Sequence, residues 1–400
     1  MIRLNSGQQF IVNKAVEWFY DDDADQVFQF DGPPGSGKSF VLMEIVKRLG
    51  LDIMYEVAPM SFIGSASLVM RNKGLFSAKT AHSWLFNVDV VTKRDKDGNK
   101  IMDTLLNVPI KETVFVPVMF FDPDIKLIIV DEAYSMPRSL RPEIEKYGIK
   151  IIACGDQNQL PPVKDYPAFL TDGKIYHLTE IMRQQGLDDI NFIANRVLNG
   201  LPLSNGYYGN SLVLNKEDLT EDMLMWADCI ICGRNATRDA VNQRVREIMG
   251  YYSPSPQKNE KLVCRNNNWN ESVMLSGGFE LNLVNGLIGT VYNDPDVYRY
   301  GKEQILIDFV PDLSPEVMFK KIKCNYKHII SDSLTRTHIR QNKYSKGNMM
   351  EYAYCITAHI AQGSQFHKVL YIEEPMRRDI QNSINLVGVT RADQMLIYAH

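Results

Sequence analysis

Gly32-Pro33-Pro34-Gly35-Ser36-Gly37-Lys38-Ser39 stands between the apolar run Val27-Phe28-Gln29-Phe30 and a helical pattern from Phe40 to Leu49 that ends at Gly50. This is the G-x-x-x-x-G-K-[ST] phosphate loop in the strand–loop–helix context its chemistry requires. The glycines let successive backbone N–H groups turn inward on phosphates, and the helix N-terminus adds its positive end. Gly35, Ser36 and Gly37 line the cradle, Lys38 reaches the outer phosphates and Ser39 ligates magnesium. An α/β fold follows, with a nucleotide site at the C-terminal edge of a parallel sheet.

Working outward, such a site needs a carboxylate at the tip of a neighbouring strand to hold the metal. Leu127-Ile128-Ile129-Val130-Asp131-Glu132 supplies it, the apolar run reading as a strand covered on both faces. Asp131 is expected to hold the magnesium through water, and Glu132 to orient and deprotonate the attacking water. A third strand, Ile149 to Cys154, opens into Gly155-Asp156-Gln157-Asn158-Gln159-Leu160-Pro161-Pro162-Val163 at the same edge.

Composition limits the alternatives. The chain has 400 residues, 45% hydrophobic and 23% charged, with 25 Gly and 18 Pro, which excludes disordered and low-complexity classes and allows two to three domains. Its longest nearly apolar stretch, Val114 to Phe121, is far shorter than the ~20 residues of a membrane-spanning helix. No membrane role is expected, and no secretory signal is visible. Six scattered cysteines suit a reducing compartment; Cys229 and Cys232 form a C-x-x-C inside a strand-like run, with no second pair at zinc spacing. Net charge is −4, yet residues 320–346 carry eight Lys/Arg against Asp332 alone. Tyr326 and Tyr344 interleave them, so this stretch reads either as a nucleic-acid face or as a solvated basic loop.

Gly155 to Val163 resembles motif III of superfamily 1 helicases of the RecD-like and Dda-like branch. Other motifs follow in that family's order. Leu4-Asn5-Ser6-Gly7-Gln8 resembles the Q-motif that grips adenine through Gln8. Asp131 to Met136 resembles motif II, and Leu178-Thr179-Glu180-Ile181-Met182-Arg183-Gln184 resembles motif IV. Thr357-Ala358-His359-Ile360-Ala361-Gln362-Gly363-Ser364 is similar to motif V, with Gly363 at the nucleotide, and Val387-Gly388-Val389-Thr390-Arg391-Ala392 to motif VI. The resemblance implies Arg183 and Arg391 as cations on the γ-phosphate and Gln159 as its sensor, roles that fit the charge distribution of phosphoryl transfer. Standing alone, each arginine would read as a surface ion pair.

On the nucleic-acid side, Ala58-Pro59-Met60 with Gly64-Ser65-Ala66 resembles motif Ia, and Thr80-Ala81-His82-Ser83-Trp84-Leu85 the motif after it. The resemblance implies Pro59, Thr80, His82, Asn235, Thr357 and His359 as contacts to the strand. Two positions depart from it: Met60 stands where Thr is usual, and Ile360 where Lys is usual.

The resemblance implies two RecA-like domains with parallel sheets, spanning residues 1–178 and 179–261 plus 346–400. A hairpin insertion at about 88–120 would serve as a wedge, signalled by Asp97-Gly98-Asn99, with Phe86, Phe115, Phe120 and Phe121 as nearby aromatics. A small β-barrel insertion would occupy 262–345. The expected activity is an ATP- and magnesium-dependent DNA helicase moving 5′ to 3′ on single-stranded DNA and opening forked duplexes. A cytoplasmic monomer, in a bacterial cell or a phage-infected host, working with replication or recombination proteins, completes that expectation. A translocase that remodels nucleoprotein without unwinding shares these motifs. A P-loop kinase or switch NTPase is the third reading, against which the paired arginine motifs from a second α/β half and the full motif set argue.

Overall fold

In the computed structural model, residues 4–400 are described except 93, 96, 103–108, 110, 163, 164, 181–187, 276–279, 298–303 and 343–346. The phosphate loop leaves the strand Val27–Asp31, which lies in a six-stranded parallel sheet ordered Lys79–Thr80, Val57–Ser61, Leu127–Val130, Lys150–Gly155, Val27–Asp31, Ile175–His177. Successive side chains of a strand point to opposite faces, so each apolar run feeds two cores. Leu127, Ile129 and Ile152 pack under helices Ser6–Phe19 and Lys38–Leu49, against Ile11, Val12, Leu42 and Ile45. Ile128, Val130 and Ile151 face the other way, onto Met60, Ile144 and Phe169. Both faces are covered, as a parallel sheet requires.

A second sheet runs Cys355–Thr357, Cys229–Cys232, Phe366–Ile372, Ala392–Ala399, Ser211–Leu214, Gly206–Tyr208, parallel but for the last strand. Helices Asp188–Leu198 and Arg378–Thr390 share one of its cores, with Ile190, Ile193, Ile384 and Val387 against Ile231, Val369 and Leu396. All six cysteines are free and buried, and Cys229–Cys232 is the buried strand its sequence suggests.

Two insertions complete the fold. Phe86–Thr92 and Lys111–Pro117 form an antiparallel hairpin in register from Phe86↔Pro117 to Thr92↔Lys111. Toward its tip Asp95 Oδ1 accepts from the backbone N–H of Asp97 and Asn99, the turn that Asp-Gly-Asn signals. The other insertion is an antiparallel sheet from Lys261–Cys264 through Ile288–Val291, Gln304–Pro311 and Phe319–Asn325 to Met350–Tyr352. Strict alternation along Gln304–Pro311 buries Ile305, Ile307 and Phe309. A Cys324↔Asn348 bridge joins the fourth strand to the segment entering the last, closing a small barrel round that core.

Asn268–Met274 pairs with Glu280–Leu283 as a second hairpin. Sequence patterning misses its first strand because Glu271 interrupts its apolar face, leaving only Trp269 and Val273 to pack on the barrel core. Among the described residues no helix is long and apolar enough to cross a membrane.

Candidate nucleotide cleft and nucleic-acid groove

The two parallel sheets face each other across a cleft of about 720 Å³ lined by Gln8, Gly35, Gly37, Lys38, Ser39, Asp131, Glu132, Gln159, Gly363 and Arg391. Ten positions chosen from sequence thus converge, the last two from the second sheet. Local rules place each one. Asn5 caps the first helix in a capping box, its Oδ1 accepting from Gln8 N and its own N–H donating to Gln8 Oε1. That orients the other end of Gln8, whose Nε2 donates to the Ser36 carbonyl at 3.0 Å. Gly37 has φ +85°, and a β-carbon there would stand 2.5 Å from Gln8 Nε2, so only glycine fits.

Lys38 Nζ donates to the carbonyls of Gly32 and Pro33, at 2.7 and 3.3 Å. Asp131 Oδ1 accepts from Glu132 N at 2.9 Å and from the Cys154 thiol at 3.2 Å, which fixes the carboxylate's direction. Glu132 itself has φ +51°, a left-handed conformation uncommon for a side-chain-bearing residue. Burial first, then the Asp131 charge, raises the Glu132 carboxyl above its ordinary value, with Lys38 and Arg391 opposing. Burial likewise raises Asp156, against Lys38. Arg391 is buried and donates to the carbonyls of Val387 and Ser364 and to Thr390 Oγ1. Desolvation lowers its pKa, and Glu132 and Asp156 counteract it.

These residues fit a magnesium nucleotide. Ser36 Oγ and Gln159 Oε1 are buried polar atoms without a hydrogen-bond partner, the kind of group a phosphate and its water satisfy. Ser39 and Asp131 are hard oxygen donors beside the phosphate loop, and no cluster of three or more His, Cys, Asp or Glu suited to a metal occurs among the described residues. That is the donor set magnesium takes when phosphates complete its shell.

A second cavity, about 590 Å³, runs across the tops of the sheets and is lined by Thr80, His82, Asn235, Thr357 and His359 together with Pro161, Pro162 and Gly64. Thr80 Oγ1 accepts from Ser83 N as the cap of a short helix, whereas Thr357 makes no such bond at its own helix start. Desolvation holds both His82 and His359 below the ordinary imidazole value, so both are neutral at pH 7.

A family model described as an AAA domain matches residues 3–201. An uncharacterized protein of Acanthamoeba polyphaga mimivirus is 27% identical over 210 residues, 46% of this chain. The match spans only 40% of that protein's length. Among solved structures, the Candida albicans Pif1 helicase covers 100% of this chain and 95% of its own at 16% identity and a TM-score of 0.53. A Bacteroides Pif1 helicase, solved with ADP-AlF3 and ssDNA, covers 99% and 92% at 15% identity and a TM-score of 0.55. The fold is that of the Pif1 helicases.

On this Pif1 fold the sequence-chosen residues divide clearly. Arg183 lies outside the described residues. Pro59 does not reach the groove: it is buried within its strand, where its carbonyl accepts the Trp84 indole N–H at 2.8 Å. Met60 beside it is wholly buried in the core. Nor do the described residues of the basic stretch line the groove; Lys343, Tyr344 and Lys346 lie outside the described residues. Arg336 and Arg340 turn inward to Asp239 and Glu351, while Lys320, Lys321 and Lys323 stand exposed on a barrel strand. Sequence reasoning missed Lys73, Gln365, Asp393 and Gln394 on the nucleotide cleft and Arg265 on the groove. None belongs to a motif, so only tertiary proximity finds them.

Proposed function

We propose that this chain is an ATP-dependent DNA helicase that moves 5′ to 3′ on single-stranded DNA and opens forked duplexes. The observation that carries the reading is that three segments each put near neighbours into both cavities. Gln159 lines the nucleotide cleft while Pro161 and Pro162 line the groove; Ala66 and Gly64 divide in the same way, as do Gly363 and the group Thr357, His359, Ile360 and Gln362. Gln362 Nε2 also donates to the Leu160 carbonyl at 3.3 Å, tying the loop of one sheet to that of the other. A shift of Gln159 or Gly363 at the nucleotide therefore moves the groove wall, which is the coupling a nucleic-acid motor requires.

In this reading Gln8 grips the base, and Gly35, Ser36, Gly37 and Lys38 hold the phosphates. Ser39 and Asp131 hold magnesium, and Glu132 accepts the proton of the attacking water. Bound magnesium supplies charge neutralisation at the transferred phosphate. Arg391, carried by the second sheet, adds a cation only when the sheets close, so hydrolysis depends on closure. Arg183 is assigned the same task. Thr80, His82, Asn235, Thr357 and His359 meet the strand in the groove. The 5′ to 3′ direction rests on the resemblance to the RecD-like and Dda-like branch. Domain limits of 1–178, 179–261 with 346–400, and 262–345 for the barrel are proposed on the same ground, as are a monomeric state and a cytoplasmic setting.

Steady-state ATP hydrolysis with and without single-stranded DNA, using Lys38→Ala as the blank, tests the reading. Strong stimulation that the variant lacks supports it. Hydrolysis indifferent to every nucleic acid sinks it and favours the kinase or switch class.

A further inference from the structure

The groove is almost uncharged. Burial disfavours the charged form of both its histidines, position 360 is an isoleucine, and the described lysines of the barrel's basic stretch stand elsewhere. Among the described residues lining it, Arg265 is the one formally charged side chain. It comes from the barrel, one residue past the strand Lys261–Cys264, and its backbone is held firmly: Arg265 N donates to the Met349 carbonyl at 2.7 Å and Asn266 Oδ1 accepts from Met349 N at 2.7 Å.

Behind Arg265 lies a buried ionic cluster. Glu351, wholly buried, faces Arg238 at 2.8 Å, Arg340 at 3.2 Å and Arg265 at 3.4 Å. His328 stands 3.9 Å from the same carboxylate, but burial pushes it down to about 4, so it is uncharged at neutral pH. Asp239 takes Arg238 and Arg336 at 2.8 and 2.7 Å. Four guanidinium groups share two carboxylates, leaving an excess of two positive charges. Arg265 is the member of the cluster that lines the groove; its buried Nε faces Glu351 Oε2 at 3.4 Å, a pair without hydrogen-bond geometry. With positive charge in excess behind it, the guanidinium keeps capacity for an anion in the groove.

We infer that Arg265 is the phosphate-binding cation of the groove, taking one backbone phosphate of the single strand, with Glu351 as the residue that positions it. This rests on the helicase reading and deepens it: the barrel supplies the charge that position 360 does not.

The test is the salt dependence of affinity for a fluorescent oligothymidylate, measured for the wild type, Arg265→Gln and Arg265→Lys. Neutralising one phosphate contact on a single strand lowers the slope of log K against log salt by about 0.7. Arg265→Gln is expected to lose that much slope and roughly tenfold in affinity at low salt, while Arg265→Lys keeps the slope. A methylphosphonate scan of the oligonucleotide on the wild-type protein supplies a readout that does not depend on a variant folding. One linkage should lower affinity when neutralised. A wild-type slope in Arg265→Gln, or a scan with no sensitive linkage, overturns the assignment. Should the wild type bind no single-stranded DNA, the helicase reading falls with it; DNA-stimulated hydrolysis alongside an unchanged Arg265→Gln slope overturns this inference alone.

Discussion

A β-carbon placed on Gly363, in the second sheet's loop, would stand 2.9 Å from Cβ of Ala66, on the helix Gly64–Asn72 beside the first sheet. Both residues line the nucleotide cleft, so the two halves meet there at a distance only glycine permits. Gly363 also has φ +80°, which any other residue adopts under strain. Gly363→Ala is therefore expected to hold the halves apart and to lower the rate of hydrolysis at least tenfold, given ~1–3 kcal/mol of backbone strain before any clash. Steady-state kinetics together with a melting curve separate this from global unfolding; a variant that hydrolyses at the wild-type rate contradicts it.

Glu132 is proposed as the base, so only its carboxylate form is active. Because its pKa lies above the ordinary 4.5, the active form is fully present well above that value and is lost as pH falls through the raised one. The acid limb of kcat/KM, which reports the free enzyme, is expected above pH 4.5. Glu132→Gln is expected to abolish that limb and reduce kcat by roughly 10²–10⁴ while nucleotide binding persists. A pH profile that Glu132→Gln merely scales down, with its acid limb in place, argues for another base.

The aromatic residues near the hairpin separate into two kinds. Phe121 stacks on Trp84 at a ring-centroid distance of 5.8 Å and packs at a tilt on Tyr147 at 4.4 Å, whereas Phe120 is 83% exposed. Phe121→Ala should reduce stability, approaching the roughly 3–5 kcal/mol of a core phenylalanine. Phe120→Ala should leave the melting temperature alone and slow unwinding of a forked duplex more than single-stranded-DNA-stimulated hydrolysis. Equal losses in both activities would remove Phe120 from the fork.

Glu351 is the anion on which Arg238, Arg265 and Arg340 converge. Glu351→Ala leaves buried guanidinium groups facing one another, and breaking a buried pair from one side costs about 3–5 kcal/mol. Denaturant unfolding should show an unfolding free energy lowered by that amount, and a loss under about 1 kcal/mol would mean that water enters the cluster.

Local chemistry made the first site legible. Gly35 to Ser39, Asp131, Glu132 and Gln159 each sit at the end of a strand whose apolar run is visible in sequence, and a strand end in a parallel sheet has one place to go. The Asp-Gly-Asn turn of the hairpin was readable for the same reason, since turn type is a property of a few adjacent residues. Pro59 lies in a strand covered on both faces, and its distance from the strand tip that opens on the groove is not visible in sequence. The basic stretch was ambiguous because charge in sequence carries no direction: Arg336 and Arg340 face inward to carboxylates that lie 97 and 11 residues away in the chain.

The sequence by itself determined the parallel α/β sheets, the phosphate loop and the identity of the groups around the nucleotide, because these depend on short-range periodicity and on one motif. Tertiary structure alone decided that Gly363 seats on Ala66, that three segments serve both cavities, and that Arg265 is the one formally charged side chain among the described residues of the groove. Each is a contact between residues distant in the chain, fixed by how two sheets and a barrel pack rather than by any local preference.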